Sequence, residues 1–347
     1  MTNNALKFHS AYFVGIGGIG MSALAQYLKD QGVSVAGSDR EISPVTELLE
    51  SKRITVIIGQ KAEQISKDVE MVIYSDAVPL ENPERVRARE LGIPECSYFE
   101  MLGKISAGKR TIAVSGTHGK TTTTGMLACI LRDAGASPTA IIGSIVKDFS
   151  SNYLRGTSDL FVVEACEYRD HLLELTPQVL VITNLEWDHT DYFPSLAALQ
   201  ETFRKAISRV PKDGAIVINP NDANIAPLLE GTEVRIIDYT KEVAYDLRLP
   251  GDFNIMNARA AAAAARIILP GISDAIIAES LATFQGTWRR FEYKGKTKSG
   301  ADVYDDYAHH PTAVKATLEA LRAKVKGRII VAFHPHLYSR TRDLLEE

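Results

Sequence analysis

The run AVSGTHGKTTTT, residues 113–124, places Gly116, Gly119, Lys120 and Thr121 at a spacing that holds phosphate oxygens. An apolar strand enters a glycine turn and leaves as a helix. Backbone N–H groups then converge on an anion, and the helix adds its positive N-terminal end. Lys120 would reach the β/γ-phosphates of a nucleotide, and the Thr121 hydroxyl would ligate Mg²⁺. The general pattern G-x-x-x-x-G-K-[ST] asks for glycine at position 114, where Val114 stands, so this is a shorter variant. A plain strand–turn–helix junction with an incidental lysine is the competing reading.

A triphosphate site also needs metal ligands at neighbouring strand ends. LFVVEACE puts Glu164 just past four apolar residues, and LVITNLEWDH puts Asn184, Asp188 and His189 past another apolar run. Ligands of open α/β sheets collect at the carboxyl ends of strands, so Glu164 and His189 are expected to meet near Thr121. A carboxylate with an imidazole is a less usual Mg²⁺ set than oxygens alone, and a lone histidine after a strand is often a capping residue. Cys166 reads as a small packing residue, because no activating partner can be named.

A second glycine loop lies a hundred residues earlier. Gly15-Ile16-Gly17-Gly18-Ile19-Gly20 fits G-x-G-x-x-G between a strand and a helix, and Asp39 closes the next strand. Alone it reads as dinucleotide binding, with the acid on a ribose hydroxyl. The loop grips any pyrophosphate, so a nucleotide-sugar diphosphate fits as well; glycines serving only close helix–strand packing are the plain alternative. Further on, Asn254 and Asn257 stand three apart on one helical face, suited to an adenine edge or to a helix N-cap. Asp305, Asp306, Tyr307, His309 and His310 crowd one expected strand end, and His334, His336 and Arg340 the next. Such crowding marks a site more often than a scaffold.

The elements that position these residues alternate. Strands are expected at 11–14, 33–39, 54–59 and 69–76, with a helix at 19–31 and helical stretches between, which predicts a parallel sheet with crossover helices. Near-continuous apolar strands at 111–115, 159–165, 178–184, 214–219 and 233–238 predict a second sheet covered on both faces, completed by helices at 257–269 and 274–284. Residues 105–110 and 286–295 read as linkers. Strand 301–306, helix 312–325 with the stripe Val314, Leu318, Leu321 and Val325, and strand 328–333 follow; two strands and one helix are an incomplete third domain.

The 347 residues carry a net charge of −4, with 45% hydrophobic and 24% charged side chains. Length suits two or three domains, and the charge gives no bulk attraction to nucleic acid or anionic membrane. Cys96, Cys129 and Cys166 form no CxxC pair, so neither a disulfide framework nor a zinc site is expected and a reducing cytoplasm fits. The N-terminus lacks a signal-peptide pattern and no apolar run spans a bilayer.

Taken in order, GIGGIGMSALA, GTHGKTTTT, EACEYRDH, TNLEWDHTDYF, PGDFNIMNARAA, RRFE, DDYAHHPT and PHLYSRTRDLL resemble the Mur ligases, the ATP-dependent amide-forming enzymes of peptidoglycan assembly. The resemblance implies an α/β protein of three domains. These are a Rossmann-like domain (1–107) for UDP-N-acetylmuramate, a P-loop domain with a mostly parallel sheet (108–287) for ATP, and a partial Rossmann-like C-terminal domain (288–347) for the amino acid. It implies that the sugar diphosphate lies on Gly15, Gly17, Gly18, Ile19 and Gly20 with Ser38, Asp39 and Ser75 nearby. It places ATP on Gly116, Thr117, His118, Gly119, Lys120, Thr121, Thr122, Asn254, Asn257, Arg290 and Asp306, and Mg²⁺ on Thr121, Glu164 and His189. Tyr307, His309, His336 and Arg340 would surround L-alanine, the amine joined through an acyl phosphate, with His309 or His336 taking its proton. A monomer or homodimer is implied.

The sequence departs from the family pattern at Phe253, often His, and Leu337, in some members Arg. The stretch before PGDFN is nearly absent, so a smaller central domain is expected. Two other readings compete. One is a ligase that attaches a recycled peptide to UDP-N-acetylmuramate. The other is a nicotinamide oxidoreductase built on Gly15–Gly20 and Asp39, which leaves the Lys120 loop without a task.

Overall fold

The computed structural model describes residues 7–335 and 337–345. The first sheet is wholly parallel: β1 (Ser10–Val14), β2 (Ser34–Asp39), β3 (Thr55–Ile58), β4 (Met71–Tyr74) and β5 (Glu95–Ser97), in the order β3-β2-β1-β4-β5. Helices α1 (Ile19–Asp30), α2 (Pro44–Ser51), α3 (Pro83–Glu90) and α4 (Tyr98–Ser106) alternate with the strands. Ser43 and Ser97 begin α2 and α4 with reciprocal capping boxes, so the chain enters both helices with its first N–H groups satisfied. The strand order reverses at β1, which puts the Gly15–Gly20 loop at the opening where ligands of such sheets bind.

The second sheet has seven strands: β6 (Arg110–Ser115), β7 (Thr139–Val146), β8 (Ser151–Leu154), β9 (Leu160–Glu164), β10 (Val179–Ile182), β11 (Ala215–Ile218) and β12 (Arg235–Asp238), ordered β12-β11-β10-β6-β9-β7-β8. Only the β7–β8 pair is antiparallel. β10 and β11 are buried along their whole length, as strands covered on both faces must be. The cover comes from α5 (Lys120–Asp133), α6 (Leu196–Ser208), α7 (Asp252–Ile268) and α8 (Asp274–Thr283). In α7 the alanines 260–265 are all buried, and their small side chains let the helix lie close to α5. The expected helix at 257–269 therefore begins five residues earlier, at Asp252. Gly251 caps it at φ +95°, an angle that favours glycine, and the Asn254 amide donates to Pro250 O at 2.7 Å. β5, β7 and β8 were not among the expected strands.

The third unit holds a hairpin, β13 (Glu292–Lys296) with β14 (Asp302–Asp305), followed by α9 (Pro311–Lys324) and α10 (Tyr338–Asp343). Two expectations fail here. Part of the supposed linker 286–295 is strand β13, which pairs with β14 rather than running free. Residues 328–333 form no strand: a strand needs a ladder partner, and among the described residues β14 bonds only β13. Ile330, Val331 and Phe333 are left exposed. Ile329, Val331 and Phe333, with Val314 and Leu318 of α9, line an open groove of about 1020 Å³. Among the described residues no helix is long and apolar enough to cross a membrane.

Candidate active site

The phosphate loop leaves β6 at the switch point of the second sheet, between β10 and β9. Gly119 caps α5 with φ +81°, and a side chain there would collide with the Asn257 amide. Asn257 is thus held against the loop, while Asn254 receives its amide at 3.3 Å one turn earlier. Both amides are buried inside α7, and neither is the N-cap. The loop backbone is clamped from β10: His118 N–H donates to Asn184 Oδ1 at 2.9 Å, and Asn184 Nδ2 donates to His118 O at 3.0 Å. Thr117 Oγ1 donates to Glu186 O at 2.9 Å. Thr122 is buried in the first turn of α5.

Glu164, at the end of β9, accepts from Thr121 Oγ1 at 3.0 Å and from Gly143 N–H at 2.7 Å. The expected meeting of Glu164 and Thr121 is therefore present. His189 reaches the loop differently: its Nε2 is 3.5 Å from Glu167 Oε1, the same oxygen that takes Lys120 Nζ at 3.0 Å. Lys120 also folds back on Gly116 O at 2.5 Å and Thr117 O at 3.1 Å. Burial works against its charge, but Glu167 beside it raises the Lys120 pKa. Burial likewise pushes Glu167 up, yet Lys120 and His189 outweigh it and hold the carboxyl below its ordinary range. Glu167 was not singled out from the sequence; the signal was there, a second carboxylate three residues after Glu164.

Glu167 Oε2 is buried with no hydrogen-bond partner among the described residues. Glu164 and the Thr121 hydroxyl, 3.0 Å apart, are oxygen donors of the kind Mg²⁺ takes, and His189 stands next to Glu167. Cys166 is inert: burial pushes its thiol up to about 12.

The first loop is organised by Asp39. Its Oδ2 accepts from Gly17 N–H at 2.7 Å, and a side chain at Gly17 would strike this carboxylate. Ser38 is a correction. Its side chain is fully buried, donating to Glu84, while its carbonyl takes the N–H groups of Gly15 and Ile16, each at 2.9 Å. It shapes the loop from beneath and presents no hydroxyl to a ligand. Ser75 packs beside Gly15, and Gly18 and Ile19 lead into α1. Tyr98, unnoticed in the sequence, stands between the two loops. Its ring touches Gly20, and burial, with the nearby charge of Glu164, raises its pKa.

The third unit delivers Arg290 to the phosphate loop, its Nη2 3.5 Å from Thr121 Oγ1, with Tyr307 stacked 5.1 Å from the guanidinium. Asp306 is a second correction. Its carboxylate accepts from Phe291 N–H at 2.9 Å and Ala308 N–H at 2.7 Å, so it braces the turn that carries Arg290 instead of reaching outward. Arg340 is buried, donating to Asp188 Oδ1 at 2.7 Å. Burial and the Arg340 charge lower the His309 pKa to about 4, so this imidazole is a weak proton acceptor, contrary to expectation. His336 lies outside the described residues.

Two anion loops on adjoining parallel sheets, with an arginine brought in from a third unit, are the arrangement of an α/β ligase. The chain belongs to the Mur ligase family: residues 10–110 match the model described as "Mur ligase family, catalytic domain", 114–242 the "Mur ligase middle domain" and 289–347 the "Mur ligase, glutamate ligase domain". It is 38% identical over 376 residues to the UDP-N-acetylmuramate–L-alanine ligase of Clostridium kluyveri, covering 100% of this chain and 82% of that protein. With the corresponding ligase of Rubrobacter xylanophilus it shares 41% over 361 residues, 97% of this chain and 80% of the other. The crystal structure of UDP-N-acetylmuramate–alanine ligase from Thermotoga maritima superposes with a TM-score of 0.78 at 30% identity, over 90% of this chain and 77% of that one. A murein peptide ligase from Psychrobacter arcticus gives 0.79 at 26%, over 97% and 82%.

Proposed function

We infer that this protein joins L-alanine to the carboxylate of UDP-N-acetylmuramate at the expense of ATP, in the cytoplasm, as a step of peptidoglycan precursor synthesis. We assign 1–107 to the UDP-sugar, 108–287 to ATP and 288–347 to the amino acid. The observation that carries the reading is the convergence of Lys120, Thr121, Glu164, Glu167 and Arg290 on one loop, across Tyr98 from the glycine loop. That convergence lies in a chain similar over its length to L-alanine ligases.

A carboxylate is a poor electrophile. Its oxygen attacks the γ-phosphorus of ATP, the bond to ADP breaks, and an acyl phosphate forms. The alanine nitrogen, having lost its proton, then attacks the carbonyl carbon and phosphate leaves. Lys120 and Arg290 neutralise charge that builds on the phosphoryl oxygens, and the clamped loop fixes the line of attack. Glu167 keeps Lys120 protonated and aimed into the loop before nucleotide arrives. Glu164, Glu167 and Thr121 would hold Mg²⁺, which supplies further charge neutralisation. Closure of the third unit keeps water from the acyl phosphate.

Lys120→Ala should lower ADP release by ~10²–10³-fold or more with the fold intact by circular dichroism; unchanged turnover rejects the site. The likeness to murein peptide ligases favours a second reading, in which the amine is a peptide. Assaying L-alanine against a tripeptide separates the two: turnover with the tripeptide alone would replace the first reading.

A further inference from the structure

A second cluster of ligating atoms lies beside the phosphate loop: it shares His118 with that loop but takes no part in the Mg²⁺ set above. His118 Nε2 is 3.0 Å and His310 Nδ1 3.5 Å from the same oxygen, Glu186 Oε2, and the three atoms lie within 4.8 Å of one another. They come from three separate segments: the phosphate loop, the turn after β10, and the residue that begins α9.

Each ligand is held from behind. His118 is clamped through its backbone by Asn184. Glu186 N–H donates to Thr117 Oγ1 at 2.8 Å. His310, 2% exposed, has Nε2 at 3.2 Å from Trp187 O. A carbonyl only accepts, so Nε2 carries the proton, and a neutral His310 turns the lone pair of Nδ1 toward Glu186 Oε2. Nδ1, which also caps α9 by accepting Thr312 N–H, then lies 3.5 Å from Glu186 Oε2, a spacing that a shared cation bridges. The bond from Nε2–H to a carbonyl is the outer-shell contact that orients metal-bound imidazoles. Nδ1 otherwise receives only a long 3.3 Å contact from Thr312 N–H. Separations of 3.0 and 3.5 Å bracket the spacing of neighbouring ligands around a tetrahedral ion bound at ~2.0–2.1 Å. Two imidazoles and one carboxylate select a late first-row divalent ion over Mg²⁺.

We propose that His118, Glu186 and His310 form a site for a late first-row divalent cation such as Zn²⁺, separate from the Glu164–Glu167–Thr121 cluster, which ties the phosphate loop to the start of α9. Three protein ligands leave a fourth position open to water or substrate.

The test is Zn²⁺ titration of the whole chain against a chromophoric chelator in saturating Mg²⁺, with Co²⁺ absorption as a second probe of tetrahedral ligation. One Zn²⁺ per chain is expected. Glu186→Gln and His310→Gln should each weaken it by at least ~10-fold, while Glu164→Gln leaves it unchanged. Because His310→Gln alters the start of α9, Glu186→Gln, which keeps that cap, is the deciding variant. No uptake in Mg²⁺, equal uptake by Glu186→Gln, or loss in Glu164→Gln instead would each overturn the proposal. The last would place the ion at the phosphate site, and none of the three bears on which amine is ligated.

Discussion

Of the contacts that join the central sheet to its neighbours, two are built from different chemistry. Where α1 meets β8, the buried groups are neutral amides and hydroxyls. Asn152 Nδ2 donates to Ile19 O at 2.5 Å and to Ser22 Oγ at 2.8 Å, Gln26 Nε2 donates to Asn152 Oδ1 at 3.0 Å, and Ser151 Oγ donates to Gln26 Oε1 at 3.0 Å. Where the third unit meets the sheet, the buried contact is ionic: Arg340 with Asp188. The neutral network sits directly behind the first glycine loop, through Ile19, and fixes one anion cradle against the other. The ionic contact can be made and broken by charge, which suits a unit that must open for nucleotide and close for chemistry.

The sharpest way to break this contrast is Arg340→Leu. Both partners of the Arg340–Asp188 pair are only 6% exposed, so the variant leaves a buried carboxylate without its cation. Loss of one partner of such a pair costs ~3–5 kcal/mol. Amide exchange across α10 and the start of α9 should accelerate by orders of magnitude, while α1 and β8 stay protected. Equal acceleration at both contacts would mean that the two are one cooperative unit. Asn152→Leu is the converse and smaller experiment. It removes one hydrogen bond each from Ile19 O and the Gln26 amide, which keep Ser22 Oγ and Ser22 O as partners, at ~0.5–1.5 kcal/mol per bond lost. Exchange should rise in α1, and the KM for the UDP-sugar should rise more than that for ATP; a larger effect on ATP would show that Asn152 does not support the first loop.

The same contrast explains what the sequence made legible. Both loops and both parallel sheets follow from local pattern: glycine spacing after an apolar strand, and strands that alternate with helices. The contact of Glu164 with Thr121 was readable because a strand end beside the loop has few places to point. The misses are long-range. Ser38 looked like a ligand contact until Glu84, 46 residues away, was seen to take its hydroxyl. Asp306 looked free until the backbone of Phe291 turned onto it. Arg340 and His309 were expected around a substrate, and the partner that buries the arginine, Asp188, is 152 residues distant. Nothing in the local spacing of a carboxylate or guanidinium tells whether another chain segment will neutralise it.

The smallest predicted effect is a pH dependence confined to the ionic contact. His309 falls from an ordinary 6.5 to about 4 because the docked segment buries it, with Arg340 and Arg290 adding positive charge and Asp188 opposing them. Burial and the neighbouring His118 lower His310 as well, against the pull of Glu186 and Asp188. A released segment would therefore take up protons below pH ~6.5 that the docked one refuses. Docking strength is flat above that pH and declines as pH falls from 6.5 toward 4. Below ~4 the loss continues through Asp188, whose carboxyl burial pushes up but His189 and Arg340 hold well below its ordinary range; that contribution declines from the pH at which the released carboxylate protonates down to the pH at which the docked one does. Amide exchange in α10, measured at pH 7.0 and 5.5 and corrected for intrinsic rates, should show weaker protection at the lower pH, with α1 unaltered. If protection in α10 holds or increases on acidification, the imidazoles are not held neutral by docking, and the ionic contact is not the titratable one.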